Sequence, residues 1–241
     1  MLVSWRSAQP PWAGARGRSW AVRDRAVRVS YAAFLRIPDD GCYVLVHNRS
    51  RPGAYGPPGG VFKFFEPGAR VLDQLGFRPE RPAARGAGTR SDVRGLLPRR
   101  SLRGFRAWFD SGTYREDAVE CLNRELGEAL AESGFAHVAS DLGGSAFRPV
   151  RTVVEGPYAV PGVSWWQVRR FEIHELVATT AAAARLRHRV LELAADPAVP
   201  SVIGATTEDI IHGRCGPALV APPTAYLIGD RRLHPDLPPL R

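Results

Sequence analysis

Carboxylate side chains gather in one stretch of this sequence, between positions 116 and 132. Glu125 and Glu128 are three residues apart and Glu132 follows four residues later, so in a helix all three would share one face. Like charges at such spacings repel by roughly a few tenths of a kcal/mol per pair. A divalent cation, or arginines from elsewhere, would offset this repulsion. The plainer interpretation is a solvated acidic face, which is common on helices.

Hard cations such as Mg²⁺ or Mn²⁺ take oxygen ligands and bridge to phosphates, so this pattern would suit a phosphate-bearing ligand. Glu116 and Glu120 precede the trio on a neighbouring stripe, and Arg124 follows Glu120 by four residues, a spacing at which the two could pair. A Gly/Pro loop ends in Gly59 and Gly60, and paired glycines let a backbone approach a ligand closely.

The helix that must position these carboxylates is predicted over Glu116–Glu132. Thr113 and Glu116 have the spacing of a capping box at its start, and Ser133-Gly134 is expected to end it. Apolar residues recur at helical spacing along one face, which is expected to be buried: Val119, Leu122, Leu126 and Ala129.

Around this helix, strands and helices follow one another without a regular βαβ order, which predicts an α+β fold with a mixed sheet. Val27–Leu35 and Cys42–Asn48 predict a hairpin around the Asp-Gly turn of Pro38–Gly41. A short helix at 102–109 is expected to bury Phe105, Trp108 and Phe109. The other predicted elements are a loop at 49–60, strands at 61–65, 150–155 and 164–173, and helices at 70–75, 180–195 and 206–212.

Gly60, Glu116 and the run Arg124–Glu128 resemble the Nudix box, which is a glycine, a glutamate and then Arg-Glu-apolar-x-Glu-Glu on a helix. The spacing from Glu116 to Arg124 matches, whereas a long insertion separates Gly60 from Glu116. With this interruption the chain resembles the SMODS-associated NUDIX family, found beside cyclic-oligonucleotide synthases in bacterial anti-phage loci. The likeness covers roughly residues 27–230, and its matching segments are Val29–Ile37, Pro58–Phe64, Ser91–Gly95 and Phe105–Leu130.

The resemblance implies a Nudix αβα sandwich, a divalent metal, and binding or hydrolysis of a nucleotide or nucleoside-diphosphate derivative. Carried over by position, Glu125 and Glu128 would be the metal ligands at the catalytic centre. Glu116 would assist the metal or its water, and Arg124 would brace the loop by ion pairing. Lys63 and Arg94 flank the implied site and could bind phosphate.

One departure from the Nudix box concerns the metal. Its third metal carboxylate falls at position 129, where this chain has Ala129. Loss of a ligand should weaken metal binding and lower catalysis more than it lowers ligand binding. Glu132 could substitute if the helix shifts, and later strands offer three further carboxylates: Glu155, Glu172 and Glu175.

Six further residues have two interpretations each. His174 at a strand end could be a base or bind ligand, but partly buried histidines are ordinary. Trp165 and Trp166 face opposite sides of a strand; Trp166 could stack on a nucleobase, although core packing is the default. The helix over 180–195 carries Arg185, Arg187 and Arg189, which form either a solvated face or, less favoured, a nucleic-acid contact.

The 241 residues carry a net charge of +9, almost all from arginine, which suits phosphate recognition but also simple solubility. We expect one domain at 27–230, a basic tail or arm at 1–26, a flexible insertion at 76–90 and a tail at 231–241. No stretch predicts a transmembrane helix or a secretory signal. Cys42, Cys121 and Cys215 fit neither a zinc nor a disulfide pattern, so a reducing cytoplasm is expected.

Three functions fit these observations. The first is a metal-dependent hydrolase of nucleoside-diphosphate derivatives, linked to anti-phage defence. The second, motivated by Ala129, is a nucleotide sensor with little or no turnover. The third is a biosynthetic or housekeeping Nudix enzyme. A membrane partner is not expected, nucleic acid is not favoured, and a homo-oligomer is left open.

Overall fold

The structure is a computed structural model and describes residues 26–48, 51–80, 91–144 and 146–237. Its strands are β1 (Ala26–Arg36), β2 (Pro38–Asp39), β3 (Cys42–His47), β4 (Ala54–Gly56), β5 (Gly59–Val61), β6 (Lys63–Phe64), β7 (Arg78–Pro79), β8 (Ser91–Asp92), β9 (Arg94–Pro98), β10 (Ala146–Ala159), β11 (Trp166–Val177), β12 (Val202–Thr206), β13 (Arg214–Cys215) and β14 (Ala218–Val220). Its α-helices are α1 (Glu66–Gln74), α2 (Leu102–Asp110), α3 (Ala118–Glu132), α4 (Ala181–Ala195) and α5 (Thr207–His212). Helices and mixed sheets together confirm the predicted α+β class.

Backbone contacts divide the chain into two compact units. Among the described residues, the first unit contains those up to Tyr31 together with those within Lys63–Glu116 and Val154–Arg169. The second unit contains the described residues within Ala32–Phe62 and Asp117–Val153 and those that follow Arg169. The predicted N-terminal tail lies outside the described residues, apart from Ala26, which starts β1.

The first unit is built on the N-terminal half of β1, which pairs antiparallel with β9, and β9 pairs with β7. Helix α2 covers this sheet. Its Phe105 and Phe109 rings meet the Tyr31 ring edge-on, with centroids 5.2 and 4.6 Å away. Phe105, Trp108 and Phe109 are all buried, as the sequence predicts. Edge-to-face aromatic pairs of this kind are favourable beyond the area that they bury.

The second unit contains a mixed sheet of order β12-β3-β4-β14-β13, with β2 paired to β3. Its strands pair antiparallel except for β4 and β14, which are parallel. The predicted Asp-Gly turn is confirmed: Asp39 pairs with Cys42, and Asp40 and Gly41 have φ of 44° and 78°. Positive φ at both central residues is the geometry that matches the twist of paired strands. The predicted pairing of the two flanking strands is wrong, because the turn joins β3 to the short β2, whereas β1 belongs to another sheet.

The core of the second unit is apolar and comes from elements distant in sequence. Leu45, Phe171, Ile173, Tyr226 and Leu227 are among its fully or almost fully buried members. The Phe171 ring packs on that of Tyr226 with centroids 5.1 Å apart. This core packs residues of β1, β3 and β11 together.

Helix α3 starts later than predicted. The N-cap is Asp117, which forms a reciprocal capping box with Glu120, so the proposed pair Thr113 and Glu116 is wrong. The physical reason is the turn before the helix, where Tyr114 has a φ of 59°. This left-handed conformation cannot continue into a right-handed helix, and for a bulky residue it is uncommon.

The buried face of α3 also differs from the prediction. It consists of Cys121, Leu122, Leu126 and Leu130. Val119, which was assigned to this face, is 41% exposed, and Ala129 is half-buried. Ser133 and Gly134 end the helix as expected.

Helices α4 and α5 begin at the predicted threonines, Thr180 and Thr206, whose hydroxyls each accept a backbone N–H of the first turn. The three arginines of α4 pair with carboxylates, which agrees with the solvated-face interpretation. Arg185 pairs with Asp141, Arg187 with Asp39 and Arg189 with Glu192.

Three boundaries need correction. The predicted loop at 49–60 contains β4 and the start of β5. Of the predicted flexible insertion at 76–90, residues 78–79 form β7, and 81–90 lie outside the described residues. In the C-terminal tail, His234 Nε2 lies 2.8 Å from the carbonyl oxygen of Ile211, so this part is docked.

The cysteines Cys42, Cys121 and Cys215 carry thiols rather than disulfides. Among the described residues, no helix combines the length and the apolar character needed to cross a membrane.

Candidate functional site

Gly60 and Glu125 are in direct contact in the second unit. Gly60 lies in β5, paired with Ala33 of β1, and the Glu125 carboxylate of α3 packs against it. A Cβ built on Gly60 would lie 2.3 Å from the Glu125 carboxyl carbon and 2.4 and 2.5 Å from its oxygens. Only glycine leaves this space to the carboxylate, which explains the residue type at position 60.

Arg124 binds both carboxylates with one nitrogen. Its Nη1 donates to Glu125 Oε1 at 2.6 Å and lies 3.5 Å from Glu128 Oε1. Its Nη2 donates to the backbone oxygen of Val61 at 3.0 Å, which ties α3 to β5. The Arg124 side chain is only 13% exposed, so these charge-assisted bonds are stronger than those of surface ion pairs.

Both carboxylates still reach solvent, since the Glu125 side chain is 19% exposed and that of Glu128 is 39% exposed. Beneath them the buried Cys121 places its Sγ 3.6 Å from the carbonyl oxygen of Gly60. Cys121 contacts Gly60 and Arg124, and the sequence analysis does not predict this position in the site. Its position four residues before Glu125 on the same helix was the available signal.

Glu120 and Glu116 lie near the start of α3, and both carboxylates accept backbone N–H groups. The Glu120 carboxylate accepts the backbone N–H of Asp117 at 2.9 Å, so it closes the cap of α3. Glu116 lies before the helix and is fully buried. Its carboxylate accepts the backbone N–H of Lys63 at 2.9 Å, and its own N–H donates to the Lys63 carbonyl at 2.9 Å. Glu116 therefore joins β6 to the segment that leads into α3.

Three other residues that are predicted to contact the ligand, Gly59, Arg94 and Trp166, contact other parts of the protein. Gly59 has a φ of 126°, and a Cβ there would lie 2.3 Å from the carbonyl oxygen of Ala33, so the strand pairing requires glycine. In the first unit, Arg94 Nε donates to Ser30 Oγ at 3.3 Å. The guanidinium of Arg99 covers the Trp166 ring at 4.8 Å, so one face of that ring is occupied.

The gap left by Ala129 is not filled by another acidic cluster. Across residues 26–48, 51–80, 91–144 and 146–237, no group of three or more His, Cys, Asp or Glu side chains is arranged to hold a metal ion. Glu132 is exposed at the end of α3. The three later carboxylates form ion pairs with arginines, namely Glu155 with Arg169, Glu172 with Arg170, and Glu175 with Arg36 and Arg148.

His174 is buried on β11, with Nδ1 3.4 Å from the carbonyl oxygen of Glu172. This local contact agrees with the plainer interpretation of a packed histidine.

The structure thus brings together Gly60, Arg124, Glu125 and Glu128 on β5 and α3. A family model described as the SMODS-associated NUDIX domain matches residues 26–228. The chain belongs to this family. No curated protein and no solved structure was found to match the chain.

Membership in the SMODS-associated NUDIX family accounts for the order of the site residues along the chain. The interrupted box is brought together because β5 supplies its glycine and α3 its carboxylates, although the intervening residues belong to the first unit. A Nudix domain has a nucleotide-related function, and Nudix domains generally bind small molecules derived from nucleotides.

Proposed function

We propose that this SMODS-associated NUDIX domain binds a nucleotide or nucleoside-diphosphate derivative with a divalent cation at Gly60, Arg124, Glu125 and Glu128. The observation that carries the proposal is the Glu125 carboxylate seated against Gly60, with the guanidinium of Arg124 beside it and beside Glu128. A purely solvated acidic face would not need a glycine on the facing strand.

The donor set fits Mg²⁺ or Mn²⁺ shared with a phosphate. Mg²⁺ is usually held by one or two carboxylates together with waters and substrate phosphate oxygens, rather than by an all-protein cage. Glu125 and Glu128 supply two carboxylates within reach of one Arg124 nitrogen. Ala129 removes the third protein ligand, so the phosphate takes a larger share in holding the cation.

Hydrolysis, where it occurs, would use the same residues. A bound Mg²⁺ or Mn²⁺ supplies charge neutralisation at phosphate oxygens and acidifies water. Glu125 and Glu128 would hold the cation, and Arg124 would keep Glu125 oriented through its 2.6 Å bond. The buried Glu116 would act through the backbone, by positioning the segment before α3.

Glu125→Gln tests this proposal. We expect its affinity for ADP-ribose or ADP in MgCl₂, measured by calorimetry, to fall by about ten- to a hundredfold, because mis-set metal sites lose affinity on that scale. Glu128→Gln should lose less, since this carboxylate is more exposed. Glu132→Gln, one turn further along α3, is the matched control and should bind as the unchanged protein does. Absence of nucleotide binding by the unchanged protein with either metal would contradict the proposal.

A nucleotide sensor is the second candidate, and Ala129 favours it. Restoring the third carboxylate separates it from a hydrolase: we expect Ala129→Glu to raise Mg²⁺-dependent hydrolysis at least about tenfold, as a repaired metal site would. Release of product from ADP-ribose or ADP is the measurement. If the unchanged protein hydrolyses the nucleotide at a measurable rate equal to that of Ala129→Glu, two carboxylates suffice for hydrolysis. The argument for a sensor would then be removed.

The proposed setting is bacterial anti-phage defence by cyclic oligonucleotides, which the family description suggests. Calorimetry with cyclic and linear di- and trinucleotides would identify the ligand class directly. Binding of a non-nucleotide diphosphate in preference to all of these would favour a biosynthetic Nudix enzyme instead.

A further inference from the structure

Arg124 contacts both of the carboxylates that are proposed to hold the cation. One nitrogen, Nη1, is 2.6 Å from Glu125 Oε1 and 3.5 Å from Glu128 Oε1. A guanidinium is always protonated in proteins, so it is a permanent positive charge attached to the same helix as the two carboxylates. One of the two negative charges is therefore offset before any metal arrives.

The guanidinium is also held from a second side. Nη2 donates to the Val61 backbone oxygen at 3.0 Å, and the side chain is 13% exposed. A divalent cation binding alone would have to push Nη1 away from Glu125 while offering Arg124 no new acceptor. Two cations close together repel each other, and the charge-assisted bond from Nη1 to Glu125 would be lost without replacement.

A phosphate changes this balance. Its oxygens can accept from Nη1, because guanidinium groups bind phosphate and carboxylate with the same donor geometry. The same phosphate supplies oxygen ligands to the cation. Arrival of the phosphate therefore gives the guanidinium a replacement acceptor and gives the cation its missing ligands in one step.

We propose that Arg124 is a positioning residue that excludes free divalent cations from Glu125 and Glu128 and admits them together with phosphate. This inference rests on the proposed function, because it concerns the same site. If Arg124 only held Glu125 in place, the prediction for metal binding without nucleotide would be the opposite. Removal of Arg124 would then free Glu125 to move and weaken metal binding.

Mn²⁺ without any nucleotide is the probe. We expect Arg124→Met to bind Mn²⁺, measured by calorimetry and by electron paramagnetic resonance of the free ion, at least about tenfold more tightly than the unchanged protein, because a positive charge within a few ångströms is removed. Arg124→Lys keeps the charge but loses the planar paired donors of the guanidinium, so its increase in affinity for Mn²⁺ should be smaller. Arg189→Met, which removes an exposed partner of Glu192 on α4, is the control and should change nothing.

Equal or weaker Mn²⁺ binding in the folded Arg124 variants would overturn the inference and leave the proposed function standing. Should Arg124→Met fail to fold, Arg124→Gln takes its place, because it removes the charge but keeps a side-chain N–H donor: a rise in its affinity for Mn²⁺ supports exclusion and no rise refutes it. Failure of the proposed function looks different: the unchanged protein would then bind no ADP or ADP-ribose in MgCl₂, whatever the Arg124 variants do with Mn²⁺.

Discussion

Gly60→Ala is expected to leave the fold almost as stable as before and to reduce metal-dependent nucleotide binding by about ten- to a hundredfold. The added Cβ would lie 2.3 Å from the carboxyl carbon of Glu125. A carboxylate at the end of a flexible side chain can swing away without moving the strands, and Arg124 keeps its contacts with Val61 and Glu128, so most of the stability is retained. The new position takes Glu125 away from the cation and from Arg124, so binding is lost.

Two measurements check this outcome: urea unfolding for stability, and calorimetry with ADP in MgCl₂ for binding. Gly127→Ala is the matched control, because it adds the same methyl group on α3 at an ordinary 3.4 Å from a Leu142 methyl. It should bind nucleotide normally and gain about 0.5–1 kcal/mol from the better helix propensity of alanine. Normal nucleotide binding by Gly60→Ala would mean that the Glu125 contact is not part of the site.

Gly59→Ala, one residue earlier, is expected to act on stability instead. Its Cβ would meet the backbone, 2.3 Å from the Ala33 carbonyl oxygen and 3.0 Å from the Phe34 Cα, and its φ of 126° is one that side chains rarely adopt. Paired strands cannot move apart as cheaply as a side chain turns. We expect a loss of about 3 kcal/mol or more in the free energy of unfolding.

Gly41→Ala controls for the backbone conformation alone, since Gly41 has a φ of 78° with open space where its Cβ would lie. It should cost about 1–2 kcal/mol, as for a single left-handed residue. A Gly59→Ala protein no less stable than Gly41→Ala would show that the close approach of β5 to β1 can relax. Gly59 would then not be required for strand pairing in the way that its geometry indicates.

Local signals in the sequence predicted much of the fold. The Asp-Gly turn, the aromatic face of α2 and the threonine starts of α4 and α5 each depend on a few neighbouring residues, and all are confirmed. The pairing of β1 with β3 is not, because strand partners are chosen by the whole fold. The α+β class followed from the order of elements.

The start of α3 is predicted wrongly because two adjacent capping patterns compete there. Thr113 and Glu116 fit the pattern as well as Asp117 and Glu120 do, and the choice depends on tertiary contacts of Glu116 with the distant Lys63. Val119 lies in the first turn of α3 and is 41% exposed, so helical spacing alone does not identify which apolar residues face the core. The sequence predicts that the backbone at Gly60 is approached closely, but only the fold shows that the group that approaches it is the Glu125 carboxylate.

The parallel pairing of β4 with β14 has a consequence for synthesis of the chain. Leu219 and Val220 pair with Ala54 and Tyr55, and β12 pairs along the other side of β3. A nascent chain therefore displays the apolar β3–β4 hairpin, including Leu45, long before its neighbours leave the ribosome. Such late, non-local closure slows folding and exposes unpaired strand edges. We expect truncation before residue 202 to give an aggregation-prone product that engages chaperones.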